Sequence, residues 1–229
     1  MSSFEEMVKS IKPVTRVLVF AGIGMAVAVG IRLISPYSLI LDMDRTVRNF
    51  EIWRPFTSLM FMGPFGIPLV FTLVLLGTQS QRLESTFLPE SSTADYVFLL
   101  LFSSIPMILV GWLFGMFILS HSLTFLVVYL VSKHFPDEQI NVWGIPLMRK
   151  YFPWLMLALD FLLGQSPVEG FSGIVCGHLY WYLTVIYPRD NHIPPLIRTP
   201  SFLKRLLNPH GVNLQPRVGG GTGRRLGAG

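Results

Sequence analysis

The chain has 229 residues, of which 51% are hydrophobic and only 14% are charged, against about 25% charged in an average soluble domain. Its mean hydropathy is +0.53. This composition argues against a soluble globular domain and indicates several transmembrane spans. The single cysteine, Cys176, excludes an intramolecular disulfide framework. The formal net charge of +5 is explained by a bias of basic residues toward the cytosolic side of a polytopic membrane protein, so no nucleic-acid partner is predicted.

Apolar stretches of nearly 20 residues predict an all-α polytopic protein, a bundle of six transmembrane helices. Several of these stretches are irregular. The second is interrupted by Gly63, Pro64, Gly66 and Pro68, which predicts a kink or a broken start. The third and fourth are separated by a tight turn near residues 111–115, and the fifth is very short. The predicted spans are residues 14–34, 55–77, 95–112, 115–131, 152–164 and 171–187.

The chain is therefore predicted to form one transmembrane domain, residues 1–188, followed by a tail, residues 189–229. The tail is rich in Pro, Gly and Arg, which predicts disorder. Six spans place both termini on one side of the membrane. All but four of the 18 Lys and Arg residues fall on that side, which predicts cytosolic termini. The four exceptions are Arg32, Arg45, Arg48 and Arg54.

Several short motifs occur in order along nearly the whole chain. The second span opens with Ile52-Trp53-Arg54-Pro55-Phe56-Thr57, and this pair of Trp53 and Arg54 is also a framework motif of the rhomboid fold. The sequence resembles the derlin family, and the other matching motifs are Pro13-x-Thr15-Arg16, Leu33-Ile34-Ser35-Pro36, Arg82-Leu83-Glu84, Ala94-Asp95-Tyr96 and Gly177-His178-Leu179-Tyr180.

The resemblance implies the properties of derlins, which are rhomboid-like pseudoproteases of the endoplasmic reticulum membrane. It implies a role in endoplasmic-reticulum-associated degradation, in which misfolded proteins pass to the cytosol for ubiquitination and proteasomal destruction. The partners it implies are misfolded substrates, a membrane-embedded ubiquitin ligase complex and a hexameric AAA+ unfoldase, and the sequence leaves open whether the chain forms a homo- or hetero-oligomer. No cofactor and no metal site is predicted.

Gly173 and Gly177 lie four residues apart in the sixth span. Small residues at this spacing form a groove on one helix face and let two helix backbones approach closely in lipid. The pair is therefore predicted to be a helix-packing motif, and Gly177→Val is predicted to destabilise the fold.

No catalytic residue is predicted. A serine protease of the rhomboid type needs a serine in a Gly-x-Ser-Gly motif and a histidine base within reach. Neither Ser120 nor Ser122 lies in such a motif, and Gly170 stands where the resemblance would place the catalytic histidine. The chain is thus predicted to lack the nucleophile motif, and His121 and His178 are predicted to be polar groups with partners inside the bundle.

Polar side chains near or within the spans predict a hydrophilic groove for substrate. Asp160 lies within the short fifth span, where a charge is costly and needs a cavity or a partner. Its partner cannot be chosen from sequence. The alternative for the residues near the second span is a solvated loop. The candidate groove residues are Gln79, Ser80, Gln81, Arg82, Asp95, Asp160 and His178.

The end of the tail resembles the box by which derlins bind the unfoldase. The Gly-x-Gly-x-x-Leu-Gly spacing is present, but Gly220 replaces the aromatic residue that usually precedes it. The alternative is a low-complexity Gly/Arg tail. The candidate box residues are Gly221, Gly223, Arg225, Leu226 and Gly227.

Together these features predict a non-catalytic retrotranslocation factor. Spans three to five look too short for a normal bilayer, so they are predicted to thin the membrane around a lateral groove. No nucleotide-binding loop occurs, so force must come from a partner. The alternatives are a membrane receptor or assembly factor without channel activity, an active intramembrane serine protease, and a derlin that serves import into another organelle.

Overall fold

The computed structural model describes residues 5–6, 9–87, 93–142, 144–194 and 196–207, and within them the chain is mostly helical. Proline opens many of the helices, where its missing N–H costs no hydrogen bond. The helices are α1 (Pro13–Gly30), α2 (Met43–Arg48), α3 (Arg54–Met60), α4 (Ile67–Phe87), α5 (Thr93–Leu113), α6 (Ser120–His134), α7 (Phe152–Leu162), α8 (Pro167–Trp181), α9 (Tyr187–Asn191) and α10 (Ser201–Leu207).

Two predicted spans differ from a single regular helix. The second contains α3 and α4, which are separated at Phe61–Gly66, where Gly63 adopts φ +95°. The sixth contains α8, which continues through a π-helical turn, Tyr182–Ile186, into α9.

The helix α6 lies at the centre of the bundle. Every side chain from Ser122 to Ser132 is buried, because α4, α7 and α8 all pack against this helix. The closest packing is between α6 and α8. The core is therefore built around α6, and the polar residues at its two ends are held between its neighbours.

The prediction of an all-α protein needs one correction. A short antiparallel hairpin follows α6, with β1 (Gln139–Val142) paired to β2 (Ile145–Met148). Its turn is stabilised by the Asn141 side chain, which accepts a hydrogen bond from the backbone N–H of Gly144 at 2.7 Å, and Gly144 adopts φ +87°. A short turn stabilised by polar groups contains few apolar residues, so the hydropathy of the loop does not predict the hairpin.

The prediction of a tail disordered from residue 189 is also wrong for its first part. The helix α10 lies within it and packs against α5 through Leu203, which is buried. Lys204 forms an ion pair with Asp95 at 3.3 Å. The candidate unfoldase box, residues 221–227, lies outside the described residues.

Two helices in the described part of the chain are long and apolar enough to cross a membrane by length and composition. They are α1 and α5, with mean hydropathies of 1.7 and 2.1. Large apolar side chains also lie on the outer surface of the bundle, including Val17, Ile67 and Ile105, each more than half exposed. A surface of this kind is typical of contact with lipid.

Candidate functional site

The side chain of Arg54 holds the first loop against the bundle. It lies at the start of α3, is 2% exposed, and pairs with Glu51. Its Nη1 donates to the carbonyl oxygens of Tyr37 at 2.6 Å and Ile40 at 3.2 Å. The neighbouring Trp53 is half exposed. Of the Trp-Arg pair, the arginine is therefore the residue that fixes the loop, and the tryptophan lies at the surface.

The α6–α8 contact depends on three glycines on one face of α8. A Cβ on Gly173 would lie 2.1 Å from the carbonyl oxygen of Ser122, and a Cβ on Gly170 would lie 2.9 Å from Leu157. At Gly177 the nearest atom would be a ring carbon of Tyr129, at 3.1 Å. The two backbones are thus closest at Gly173, which is the tightest point of the small-residue face.

The hydroxyls of the serines at the start of α6 donate to backbone carbonyls. Ser120 Oγ donates to the carbonyl oxygen of Phe61 at 2.8 Å, and Ser122 Oγ donates to that of Glu169 at 2.8 Å. Gly170 stands where the family resemblance would place a catalytic histidine, and a Cβ there would lie 2.9 Å from Leu157 Cδ1 and 3.1 Å from Phe125 Cζ. Among the described residues, no Ser–His hydrogen bond of the kind needed for nucleophilic catalysis is formed.

The prediction that the chain lacks a Gly-x-Ser-Gly motif is wrong as a statement about sequence. Gly170-Phe171-Ser172-Gly173 has this spacing, but it lies in α8. Ser172 is buried, and its Oγ lies 2.9 Å from Ser122 Oγ and 2.7 Å from the carbonyl oxygen of Glu169. Its glycines are used for packing against α6 and α7. The motif is therefore present, and the hydroxyl of its serine lies within hydrogen-bond distance of another serine and of a backbone carbonyl.

The two histidines predicted to have partners in the bundle do have them. The Nε2 atom of His121 forms a hydrogen bond with Asp160 Oδ2 at 2.7 Å, and His178 Nδ1 forms one with the Tyr129 hydroxyl at 2.7 Å. His121 is thus the partner of Asp160. The hydrogen bond between His121 and Asp160 joins α6 to α7, and the hydrogen bond between His178 and Tyr129 joins α8 to α6.

Glu84 is a fully buried carboxylate at the end of the bundle opposite the His121–Asp160 pair, and it was not among the predicted site residues. Glu84 of α4 accepts hydrogen bonds from the backbone N–H groups of Val14 at 3.0 Å and Thr15 at 2.9 Å, and from Thr15 Oγ1 at 2.8 Å. The residue before α1 provides no side-chain cap. Glu84 therefore caps α1 from another helix, where the helix dipole favours negative charge.

The same network extends to α5. Ser80 Oγ lies 2.8 Å from Thr15 Oγ1 and 2.7 Å from the hydroxyl of Tyr96, which is fully buried. Thr15, Glu84 and Tyr96 each lie in one of the derlin-like motifs. Their position as polar residues at the ends of apolar spans is the sequence feature that could have indicated this network. Ser80 is therefore part of a structural network between three helices.

Gln79 and Arg82 hold the hairpin. Arg82 pairs with Glu138, which also accepts from Arg149 Nε at 2.9 Å, and Arg149 Nη1 donates to Gln79 Oε1 at 3.2 Å. The Arg82 guanidinium also lies over the Phe135 ring, 4.8 Å from its centroid. The side chains at this end of α4 thus bind the segment after α6, while Gln81 is half-buried on the same turn.

This arrangement predicts that acid loosens the hairpin. Burial alone would raise the pKa of Glu138, but hydrogen bonds and charge from Arg82 and Arg149 outweigh it and lower the pKa below its ordinary value of 4.5. Stability from a lowered carboxyl pKa is complete above the unfolded value and is lost as pH falls through the folded one. Hydrogen exchange of the β1 and β2 amides, corrected for intrinsic pH effects, should be slow at pH 6 and accelerate as the pH falls below the ordinary carboxyl pKa of 4.5.

The variant Glu138→Gln provides the control for that measurement. It should exchange rapidly at both pH values, because its neutral side chain cannot form the ion pairs. Equal protection of the wild-type hairpin at pH 6 and at pH 3 would show that Glu138 does not attach it.

A cavity of about 520 Å³ lies at the end of the bundle where α5 begins and α8 ends. The segment before α10 and α10 itself form one of its walls. The residues that line it are Phe87, Asp95, Phe98, His134, Tyr180, Trp181, Thr184, Val185, Ile197, Arg198, Thr199, Ser201 and Lys204.

The structure does not bring the seven candidate groove residues together. Asp95 lines the cavity, Ser80 belongs to the buried network, and Asp160 is paired at the other end of the bundle. The remaining candidates bind the hairpin or the neighbouring helix, or lie half-buried beside them. A pattern of polar residues along the sequence does not specify which helix face each residue occupies, and this is why the set is divided.

The fold and the polar groups define a class: a mostly helical protein with an apolar outer surface, built around a close small-residue contact between α6 and α8. The Der1-like family model matches residues 11–201, and the chain belongs to this family. It is 34% identical over 226 residues to the "Probable derlin-1 homolog" of Dictyostelium discoideum, covering 96% of this chain and 93% of the relative. It is 31% identical over 238 aligned residues to "Derlin-2.1" of Zea mays, covering 98% and 95% of the two proteins.

Proposed function

We propose that the chain is a non-catalytic retrotranslocation factor of endoplasmic-reticulum-associated degradation. The observation that carries this proposal is the match to the Der1-like family over residues 11–201, in a structure whose described residues form no Ser–His dyad. Family membership supports a general role in this degradation pathway. The tightly packed serines argue for a role in which the chain moves or recognises membrane proteins without cleaving them.

In this proposal the bundle crosses the membrane of the endoplasmic reticulum six times, with both termini in the cytosol. The distribution of Lys and Arg supports the orientation. A membrane-embedded ubiquitin ligase and a hexameric AAA+ unfoldase act on the cytosolic side. The tail is the part of the chain that would recruit the unfoldase, and the motor supplies the force.

Short helices support local thinning of the bilayer. The helix α7 has 11 residues and is therefore about 16 Å long, against a hydrocarbon core of about 30 Å. The break between α3 and α4 further shortens the regular part of the second span. Thinning reduces the apolar distance that a polar polypeptide must cross, and a lateral groove would expose substrate to this thinned region.

Two rival functions make different predictions. A receptor or assembly factor would bind substrate without changing its degradation rate. An intramembrane protease would release substrate fragments in a manner that depends on a serine, and the serines to test are Ser122 and Ser172, which contact each other.

The proposal is tested by a degradation chase of a misfolded lumenal glycoprotein in cells that lack their own derlins. The wild-type chain should restore degradation, and so should Ser122→Ala and Ser172→Ala, because within the described part of the chain neither hydroxyl is bonded to a histidine. Arg54→Ala should lower the rate several-fold, because two loop carbonyls lose the donor that holds them.

The matched control for Arg54→Ala is Arg48→Ala, since Arg48 is exposed and forms only a 3.9 Å pair with Asp44. This variant should behave as wild type. Membrane-inserted wild-type protein that binds substrate but restores no degradation would favour the receptor function, and rescue that requires either serine would favour the protease.

A further inference from the structure

The cavity between α5 and α8 has a composition that no part of the proposed function uses. Five of its lining residues carry half-buried rings, and they come from four helices: Phe87, Phe98, His134, Tyr180 and Trp181. The rings support one another, since the Trp181 and His134 rings meet edge to face at 4.9 Å, and those of His134 and Phe87 lie 6.3 Å apart. The aromatic wall is therefore held in place by packing.

Charges of both signs lie beside this wall. Asp95 and Lys204 are paired at 3.3 Å, and Arg198 lies on the segment that leads into α10. The ion pair places a carboxylate toward α5 and an ammonium toward α10. The cavity thus presents one acidic group and two basic groups next to a set of rings.

Each of these features matches one part of a phosphocholine group. Aromatic faces, with a carboxylate nearby, bind quaternary ammonium groups, whose positive charge is spread over methyl groups. Lysine and arginine bind phosphate oxygens. A purely anionic ligand would make no use of the rings or of Asp95, and a purely cationic ligand would be repelled by Lys204 and Arg198.

We infer that this cavity binds the phosphocholine headgroup of a membrane phospholipid. The ammonium lies against Phe98, Tyr180 and Trp181, and the phosphate lies toward Lys204 and Arg198. The site is at the start of the apolar helix α5, which is long enough to cross a membrane, and the headgroups of a surrounding bilayer lie at the end of such a helix. The lipid would then join α5 and α8 to the segment that carries α10.

The inference rests on membrane insertion of the chain and not on retrotranslocation. Its test is made on the purified full-length protein, freed of lipid in detergent, with binding measured by native mass spectrometry. Three probes of defined structure are used: a short-chain phosphatidylcholine, the phosphatidylglycerol of the same acyl length, and soluble phosphocholine. The first and second differ only in the headgroup, and the third has the choline and phosphate of the first without its glycerol backbone and acyl chains.

Phosphatidylcholine should bind roughly tenfold more tightly than phosphatidylglycerol, because only its headgroup engages the rings. It should also bind more tightly than phosphocholine, since its acyl chains remain on the apolar helix surface. Equal binding of phosphocholine would support the same headgroup chemistry with a soluble source. Equal or tighter binding of phosphatidylglycerol, or no binding of any probe, would overturn the inference.

Three variants distinguish a loss of the lipid-binding site from a loss of the fold. Phe98→Leu keeps an apolar side chain but removes the ring, and Lys204→Gln removes the charge, so each should weaken binding of phosphatidylcholine by roughly threefold to tenfold. The matched control is Arg205→Gln, because Arg205 is exposed on the same helix and does not line the cavity. Circular dichroism checks that all three variants remain folded, and equal weakening by Arg205→Gln would contradict a specific site.

Discussion

Replacing Gly173 with alanine is expected to be the most damaging small substitution in the bundle. The new Cβ would lie 2.1 Å from the carbonyl oxygen of Ser122 and 2.9 Å from the Cβ of Phe125. The first obstacle is backbone in the central helix α6, so relief requires α6 and α8 to move apart. Overpacking in a core costs about 1–3 kcal/mol, and a backbone obstacle places this variant at or above the upper end of that range.

The measurement is thermal unfolding in detergent, together with steady-state levels in cells. The control is Gly24→Ala in α1, where an added Cβ meets no atom within 4 Å and alanine has the higher helix propensity. It should leave the midpoint unchanged or raise it. Gly177→Ala should have a smaller effect than Gly173→Ala, because its nearest obstacle is a Tyr129 ring at 3.1 Å; a Gly173→Ala protein as stable as the Gly24→Ala protein would refute the packing account.

Removal of the Glu84 carboxylate is expected to have the second large effect. Glu84→Ala would leave two backbone N–H groups of α1 and the Thr15 hydroxyl without their acceptor in the buried interior. Breaking buried hydrogen bonds to a charged group, with the partners left unsatisfied, costs about 3–5 kcal/mol. The start of α1 should fray, and the contact between α1 and α4 should weaken.

Two variants define how much of this effect comes from the cap. Glu84→Gln keeps the shape and one acceptor oxygen, so its loss of stability should lie between those of wild type and Glu84→Ala. Ser85→Ala changes an exposed residue on the same turn and should be neutral. Hydrogen exchange of the Val14 and Thr15 amides reports the cap directly, and unchanged protection in Glu84→Ala would show that these amides do not depend on it.

Much of the helical arrangement was predictable because apolar stretches carry a strong signal. Each predicted span contains a helix, the α3–α4 break falls at the Gly and Pro residues, and Gly173 lies in a close helix contact. The hairpin and α10 were not predicted. Both are stabilised by a few specific contacts, such as Asn141 with Gly144 and Lys204 with Asp95, which a hydropathy pattern does not contain.

The polar sites were less predictable than the helices. Hydropathy indicated that Asp160 needs a partner, but His121 lies 39 residues away in sequence and could be identified only from the packing of α6 on α7. Glu84 looked like an ordinary charged residue after a span, and only the position of α1 shows that it is a buried cap. The Gly-x-Ser-Gly spacing lies within the apolar stretch of α8, and hydropathy does not indicate that Ser172 there contacts Ser122 of α6.

We propose that the chain delivers membrane and lumenal proteins to the cytosol without cutting them. The most direct test of this proposal is the mass of a misfolded glycoprotein recovered from the cytosol while the proteasome is inhibited, in derlin-deficient cells that carry this chain. We predict an intact polypeptide, in equal amounts for wild type, Ser122→Ala and Ser172→Ala. Shorter fragments that disappear in either serine variant would contradict the account and identify the chain as a protease.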